Sequence, residues 1–233
     1  MSWNDIRQLS ARWAYEVCRL PAYWRLRGRP VCSVLNLTDF VAHYGFLNFF
    51  LILRVLRQTI AEKVGVNPFL IGVMSRTDAP NVQLARGLPI DGATGYALLP
   101  DWMGPTVQEY EELIGRRINE WQYVQQRLRI PFFPVVSAGW DATVRGERLP
   151  QIEPTTGFPW APVVTGVTRE RFGYFLDEAV AFNQQHHPEQ NIVFIHAWNE
   201  WTESSVVEPS DRFGTDLLQE IEKRAHNVQF DHL

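Results

Sequence analysis

The amino-acid sequence predicts an α/β fold with a parallel sheet. Five short apolar runs alternate with longer amphipathic segments, the order expected when each strand is followed by a crossover helix. The strand-like runs are apolar throughout, which is typical of strands buried on both faces. A (β/α) barrel and an open, doubly wound sheet are both built in this way. No glycine-rich phosphate loop follows any of the runs, and this disfavours the nucleotide-binding, doubly wound alternative.

Five strands are expected from these runs. Gly28 and Pro30 lead into the first, and the third is centred on Gly95, Tyr96 and Ala97. Each run is short and bounded by turn-forming residues, as strands of a compact domain usually are. The predicted strands lie within residues 30–36, 69–74, 90–98, 131–137 and 192–197.

Four longer segments are predicted to be helices. Thr38 or Asp39 is suited to cap the first, and Gly65 is suited to end it. In the second, apolar residues recur at helical spacing from Tyr110 to Val124. The predicted helices cover residues 38–63, 106–129, 168–185 and 215–225. Residues 139–166 are irregular and rich in Pro, Gly and charge, and a loop of this length inside a compact domain usually has a function.

Composition restricts the class of protein. A chain of 233 residues with 45% hydrophobic and 21% charged residues is expected to form one large globular domain. Its net charge of −4 argues against a nucleic-acid partner, which needs a concentrated basic surface. The longest apolar stretch, residues 40–53, falls short of the roughly 20 residues that span a bilayer. No secretory signal peptide is visible after Met1, so a cytoplasmic protein without a membrane span is expected.

The segment most informative about function follows the last predicted strand. Residues 191–214 read NIVFIHAWNEWTESSVVEPSDRFG and deliver Glu200 and Glu203 to the loop after that strand. If the turn is helical, carboxylates three residues apart lie on one face, with Cβ atoms about 5–6 Å apart. Such a pair suits acid–base chemistry on a glycosidic bond, because proximity drives the two pKa values apart. Trp198 and Trp201 flank the pair as a stacking surface; a solvated loop beside two core tryptophans is the alternative.

Four stretches resemble the WbsX-like family, which is related to glycoside hydrolase family 99. Residues 197–214, beginning AWNEWTES, are similar to the family's A-W-N-E-W-[AT]-E-G signature. Residues 135–145, VVSAGWDATVR, are similar to its P-V-V-x-x-G-W-D-N-T-P-R segment. Weaker matches lie at residues 23–30 and 90–93, and the four stretches occur in the family's order.

The resemblance implies a TIM-type (β/α) barrel that processes glycans. In the related hydrolases, one glutamate of this motif deprotonates the 2-hydroxyl of an α-mannoside, which then attacks the anomeric carbon, and the other protonates the leaving oxygen. By position, Glu200 is the base and Glu203 the general acid. Asp141 is expected to bind sugar hydroxyls beside Trp140, and Arg145 to orient the substrate or pair with Asp141. The predicted substrate-binding residues are Trp140, Asp141, Arg145, Trp198, Asn199 and Trp201.

The chain departs from the family pattern in three places. Ser204 stands where Gly is usual, while Ala142 and Val144 replace Asn and Pro, so both loops are expected to differ in backbone. Family members also carry roughly three further βα units before residue 23, and at about 31 residues per unit this chain is too short for eight. We therefore expect an incomplete barrel of about five units. Residues 1–233 would form a single, N-terminally truncated glycoside hydrolase family 99-like domain. Its expected partner is either a complementary N-terminal half or another copy of this chain.

Three functions are consistent with the sequence. The favoured one is a glycoside hydrolase that processes a mannoside-type or bacterial polysaccharide glycan through Glu200 and Glu203. The alternatives are a WbsX-like glycosyltransferase of polysaccharide biosynthesis and a non-catalytic, glycan-binding remnant.

Neither a metal nor a cofactor is expected, because Cys18 and Cys32 have no second ligand at zinc-binding spacing. His196, in the last strand, is expected to be a hydrogen-bonded interior residue.

Overall fold

The computed structural model describes residues 3–96, 99–145 and 160–225. The α-helices are α1 (Trp3–Trp13), α2 (Leu37–Tyr44), α3 (Phe46–Val64), α4 (Ala79–Gly87), α5 (Tyr110–Arg127), α6 (Arg169–His186) and α7 (Asp216–Ala225). The strands are β1 (Arg25–Leu26), β2 (Arg29–Val34), β3 (Phe69–Met74), β4 (Gly92–Gly95), β5 (Val107–Glu109), β6 (Phe132–Phe133), β7 (Val135–Val136), β8 (Val163–Thr165), β9 (Phe194–Ile195), β10 (Asn199–Glu200) and β11 (Ser205–Val206). The chain divides into two compact units, residues 1–96 with 124–132 and residues 97–123 with 133–233.

A parallel sheet forms the centre of the first unit. β2, β3 and β4 lie side by side, with Val31 opposite Phe69 and Ile71 opposite Gly92. β1 pairs antiparallel with the start of β2, and β6 follows β4 in the strand order. The first three predicted strands are therefore confirmed. The third is Gly92–Gly95, and Ala97 of its predicted centre lies outside the described residues. Cys32, Leu70, Ile71 and Ala93 are among the fully buried residues of these strands.

The first predicted helix is interrupted at Gly45. Instead of one helix over 38–63, α2 and α3 meet at this residue with a bend of 115°. Gly45 has a φ of 76°, a conformation that glycine adopts without steric cost, and so it permits the break. The N-cap is Asn36, which accepts a hydrogen bond from the backbone N–H of Asp39, rather than Thr38 or Asp39 itself. Within the described residues no single helix is long and apolar enough to cross a membrane, and α2 with α3 is the one bent pair that passes that test jointly.

Helix α4 lies in the segment after β3, where no helix was predicted. The side chain of Asp78 accepts a hydrogen bond from the backbone N–H of Asn81 at 3.0 Å and caps the helix, while Pro80 occupies its first turn. An aspartate followed by a proline is a helix-start signal, since proline has no N–H to leave unsatisfied there. Helix α1 was likewise not predicted.

Two pairs of parallel strands organise the second unit. β7 pairs with β9, placing Val135 opposite Phe194, and β5 pairs with β8, placing Val107 opposite Val163. The fourth and fifth predicted strands are thereby confirmed. β5 occupies the start of the segment predicted as a helix, so α5 begins only at Tyr110. β8 lies in the stretch predicted to be irregular, of which residues 146–159 fall outside the described residues.

Aromatic side chains form the core of the second unit. Trp121 of α5 and Phe175 of α6 are buried and stack with ring centroids 5.3 Å apart and planes 3° from parallel. Tyr110 packs edge-on against Phe175 at 6.2 Å, and its hydroxyl donates to the carbonyl of Ser137 at 2.7 Å. This core therefore fixes the chain just beyond β7, where the candidate site begins.

Replacing Phe175 with Ala is expected to lower the free energy of unfolding by about 3–5 kcal/mol, because the truncation leaves a cavity against Trp121. The adjacent Tyr174 is half exposed, so Tyr174→Ala on the same helix should cost less than about 1 kcal/mol. Urea denaturation followed by tryptophan fluorescence measures both values. Equal losses in the two variants would contradict the packing of α6.

Candidate active site

The two glutamates of the predicted site lie on a β-hairpin. β10 and β11 pair antiparallel, with Glu200 opposite Ser205. Residues 201–204 connect the strands, the first three as a 3₁₀ turn that contains Glu203. The turn ends at Ser204, which has a φ of 51°. This left-handed conformation favours glycine, the usual residue here in the resembling family, so Ser204 keeps the turn at the cost of local strain.

Strand β9 leads into the hairpin and aligns it with the end of β7. The backbone N–H of His196 donates to the carbonyl of Val136 at 2.8 Å, continuing the ladder beyond both strands. Because β7 and β9 are parallel, their carboxyl ends meet at one edge of the sheet, where the active sites of α/β proteins lie. The segment after β7 reaches the hairpin there, since the N–H of Asp141 donates to the carbonyl of Glu203 at 2.7 Å.

One guanidinium joins the two carboxylates. Arg145 places Nη1 2.7 Å from Oε1 of Glu203 and Nη2 3.3 Å from Oε1 of Glu200. Its Nε and Nη2 also donate to the hydroxyl of Thr202, at 3.0 and 2.8 Å. That hydroxyl donates in turn to Oε1 of Glu200 at 2.6 Å. Two carboxyl groups, one guanidinium and one hydroxyl thus form a single cluster at the hairpin.

The two carboxylates have opposite electrostatic environments. A hydrogen bond from Thr202 and the charge of Arg145 lower the pKa of Glu200, whose side chain is 40% exposed. Burial raises the pKa of Glu203, whose side chain is 12% exposed, and this effect outweighs the lowering by Arg145. The neighbouring charge of Glu200 raises the pKa of Glu203 further. At a pH between the two pKa values, Glu200 is ionised while Glu203 holds a proton.

Asp141 stands at the base of the same loop and contacts Thr143. Its Oδ1 accepts hydrogen bonds from the backbone N–H and the hydroxyl of Thr143, at 3.0 and 2.6 Å. Of the two roles expected for Arg145, the pairing with Asp141 is replaced by ion pairs with Glu200 and Glu203, while Thr143 engages the Asp141 carboxylate. Asp141 therefore shapes the turn that leads to Arg145. Its binding of sugar hydroxyls stays a prediction.

The tryptophans near the glutamates differ in exposure. Trp198 and Trp201 are 56% and 50% exposed. The indole N–H of Trp201 donates to Oε2 of Glu208 at 2.9 Å, so Glu208 holds this ring in place. Trp140 is only 4% exposed and packs edge-on against Trp102 at 5.1 Å. The two exposed rings present faces for stacking, whereas Trp140 belongs to the core below the loop.

Sequence reasoning missed one group that contacts the carboxylate pair and one that lies opposite Glu200 in the hairpin. Thr202 binds both Glu200 and Arg145, yet one hydroxyl in a loop produces no periodic pattern. Ser205 is fully buried and its hydroxyl lies 2.7 Å from Nδ1 of His196. Its place opposite Glu200 follows only from the hairpin register. Asn199, the remaining predicted binding residue, is exposed on β10.

The arrangement is suited to moving protons. An ionised carboxylate accepts one, and a carboxyl with a raised pKa donates one, both at the same pH. In residues 3–96, 99–145 and 160–225, no group of three or more His, Cys, Asp or Glu side chains is arranged to hold a metal ion.

The hairpin lies in a part of the chain that matches a known protein family. The family model described as Glycosyltransferase WbsX matches residues 90–221, more than half of the chain. The chain belongs to the WbsX family. The resemblance seen in residues 135–145 and 197–214 is therefore confirmed, and both stretches lie within the matched part of this WbsX protein. That family is named for glycosyl transfer. No curated protein matches the chain.

Two solved structures are similar to the WbsX chain in fold. The structure of the GH99 endo-alpha-mannosidase from Bacteroides thetaiotaomicron gives a TM-score of 0.56 at 13% identity, covering 98% of this chain and 65% of that one. The structure of that endo-alpha-mannosidase in complex with BIS-TRIS-propane gives 0.55 at 14% identity, covering 98% and 68%. The WbsX chain thus spans about two thirds of the length of these structures. Identity this low shows the fold alone, and the likeness confirms the mixed α/β class predicted from the sequence.

Arg145→Met is expected to raise the pKa of both Glu200 and Glu203, because it removes the cation that contacts both carboxylates. Titration of ¹³C-labelled glutamate carboxyls by NMR measures this change. In the unaltered chain, Glu200 should titrate below the usual range for glutamate and Glu203 above it.

Arg212→Met is the matched control, since the Arg212 guanidinium donates to the carbonyl of Val167. It should leave both glutamate titrations unchanged. If Arg145→Met also left them unchanged, the shared guanidinium would not set the charge state of the pair.

Proposed function

We propose that this WbsX protein cleaves an α-mannoside-type glycan, with Glu200 as the base and Glu203 as the general acid. The observation that carries this proposal is the opposite displacement of two pKa values on one hairpin, around a shared guanidinium. Acid–base catalysis near neutral pH requires one group ionised and the other protonated. The sugar is suggested by the similar structures, which are described as endo-alpha-mannosidases.

Glu200 acts on the 2-hydroxyl of the sugar. Its carboxylate stays ionised to a low pH because Thr202 and Arg145 stabilise the charge. It accepts the proton of the 2-hydroxyl, and the oxygen of that hydroxyl forms a bond to the anomeric carbon while the bond to the leaving oxygen breaks. The exposure of Glu200 leaves the carboxylate accessible to a ligand.

Glu203 supplies a proton to the leaving oxygen. Its Oε1 accepts from Nη1 of Arg145, and a guanidinium has no acceptor, so the acidic proton rests on Oε2. After the leaving group departs, Glu203 is a carboxylate and takes a proton from the water that attacks the anomeric carbon. Glu200 returns its proton to the 2-oxygen as the three-membered ring opens. Both glutamates thereby regain their initial states.

Trp198 and Trp201 are the surface on which we place the sugar rings. The face of a tryptophan ring packs against the apolar face of a sugar ring, and a hydrogen bond from the indole N–H holds the tryptophan in place. The hydrogen bond from Trp201 to Glu208 orients that ring before a ligand arrives. Asn199 follows Trp198 directly, and the backbone N–H of Asp141 donates to the carbonyl of Glu203, so both residues are assigned to hydroxyl binding.

Glycosyl transfer is the second candidate, because the matching family is described as a glycosyltransferase. The first step would be the same, and an acceptor hydroxyl would replace the water in the second. A nucleotide-sugar donor would bring phosphates, and the sequence has no glycine-rich phosphate loop. Calorimetric titration with nucleotide sugars tests this alternative: heat of binding would favour transfer from such a donor.

Glu203→Gln is expected to reduce kcat/KM on a natural mannoside by roughly 10²–10⁴, the usual worth of general acid catalysis. An activated aryl leaving group needs no proton, so a substrate that carries one should recover most of this loss. Glu200→Gln should lose a similar factor with both substrates, because the base is required whatever the leaving group. Initial rates on the two substrates separate the two roles.

Glu112→Gln is the matched control, since Glu112 is exposed on α5, and its rates should equal those of the unaltered chain. Full activity in Glu200→Gln and Glu203→Gln would contradict the assignment of Glu200 as the base and Glu203 as the general acid. Binding of a mannan-like oligosaccharide by the unaltered chain without turnover would point to the glycan-binding remnant instead.

A bell-shaped pH dependence of kcat/KM is expected. The rate should rise as Glu200 loses its proton, below the usual range for glutamate, because its pKa is lowered. It should fall as Glu203 loses its proton, above that range, because its pKa is raised. Rates measured from about pH 3 to 9 define both limbs. An acid limb that persisted in Glu200→Gln would belong to another group and would contradict the assignment of the base.

A further inference from the structure

A chain of polar groups, two of them buried serines and one a partly buried histidine, joins the hairpin to the end of β7. Nδ1 of His196 lies 2.7 Å from Oγ of Ser205, which lies 3.0 Å from Oγ of Ser137. The Ser137 hydroxyl donates to the carbonyl of Gly139 at 2.8 Å. Both serines are buried, so bulk water does not compete for these bonds. Three segments, following β7, following β9 and on β11, therefore meet in one hydrogen-bonded chain.

The number of protons fixes the direction of each bond in this chain. A carbonyl only accepts, so Ser137 gives its single proton to Gly139 and must accept from Ser205. Ser205 then has no proton left for the imidazole, and His196 must donate from Nδ1. Burial lowers the pKa of His196 to about 4, so the ring is neutral at pH 7 and Nε2 carries the lone pair.

We propose that His196 is a positioning residue of the carboxylate pair, which acts by donating from Nδ1 to Ser205. Ser205 pairs with Glu200 across the hairpin and follows directly after the turn that contains Glu203. A bond to its side chain therefore fixes both the register of the hairpin and the end of the turn. This role rests on the proposed function, because it assigns His196 to the same site.

Because His196 is neutral, it adds no positive charge beside the proposed base, Glu200. Glu200 is the charged group that acts on the imidazole; its charge raises the pKa of His196, but burial outweighs it. The ring also lies against Trp140, with centroids 6.1 Å apart. A neutral donor can hold Ser205 without bringing a second cation to Glu200, where it would compete with Arg145. His196 thus positions the pair and leaves its charge balance to Arg145.

NMR of the ¹⁵N-labelled full chain tests the protonation of His196 and needs no enzymatic activity. Multiple-bond ¹H–¹⁵N spectra at neutral pH should show a neutral His196 ring protonated on Nδ1. The ring should remain neutral as the pH falls through about 6.5, the value at which free histidine titrates. A ring protonated on Nε2, or one that titrates near that value, would overturn the proposed role.

Two substitutions separate positioning from simple packing. His196→Asn keeps an N–H close to the place of Nδ1, whereas His196→Leu fills space without a donor. Asn should preserve the separate titrations of Glu200 and Glu203 and keep kcat within about threefold, while Leu should bring the titrations together and lower kcat roughly 10²-fold at nearly constant KM. A purely structural role would lower stability without changing the glutamate titrations.

The titrations also distinguish the failure of this role from the failure of the proposed function. If the unaltered chain cleaves no mannoside, merged titrations in His196→Leu and separate ones in His196→Asn still support the positioning role. A folded His196→Leu variant with both glutamate titrations unchanged would overturn it. Should the Leu variant fail to fold, merged titrations in His196→Asn would overturn it instead.

Discussion

The candidate site depends on one guanidinium that two carboxylates share. Neighbouring carboxylates on one hairpin repel each other unless a cation contacts both or one of them holds a proton. The first condition is met because Arg145 binds Glu200 and Glu203, and the second is favoured because burial raises the pKa of Glu203. The backbone bond between Asp141 and Glu203 brings the loop of Arg145 to the hairpin and makes the shared contact geometrically possible.

Parallel strand pairing explains why so few residues suffice to build this cluster. β7 and β9 end at the same edge, so the loop after one supplies the cation and the hairpin after the other supplies the anions. Hydrogen bonds below the cluster connect these two segments a second time, through His196, Ser205 and Ser137. The loop that carries the cation and the hairpin that carries the two carboxyl groups are thus held together at two places.

Much of the fold follows from apolar patterning, and the remainder depends on features that patterning does not contain. The strands β2, β3 and β9 were predicted because a buried parallel strand is apolar along its whole length. The strands β5 and β8 were missed, since three residues are too few to show a period. The break at Gly45 was missed as well, because the apolar residues continue on both sides of it and only the backbone conformation of glycine marks it.

The sequence predicts the residues of the candidate site but not the contacts between them. Glu200, Glu203 and Arg145 are brought together. The sequence alone could not show that Thr143 donates to the Asp141 carboxylate while the Arg145 guanidinium contacts the two glutamates.

The most direct measurement of the central claim is a crystal structure of the Glu203→Gln variant with an uncleaved mannoside. The account predicts the 2-hydroxyl on the carboxylate of Glu200 and the glycosidic oxygen beside the amide at position 203. A sugar bound elsewhere, with Glu200 in contact only with Arg145 and Thr202, would contradict it.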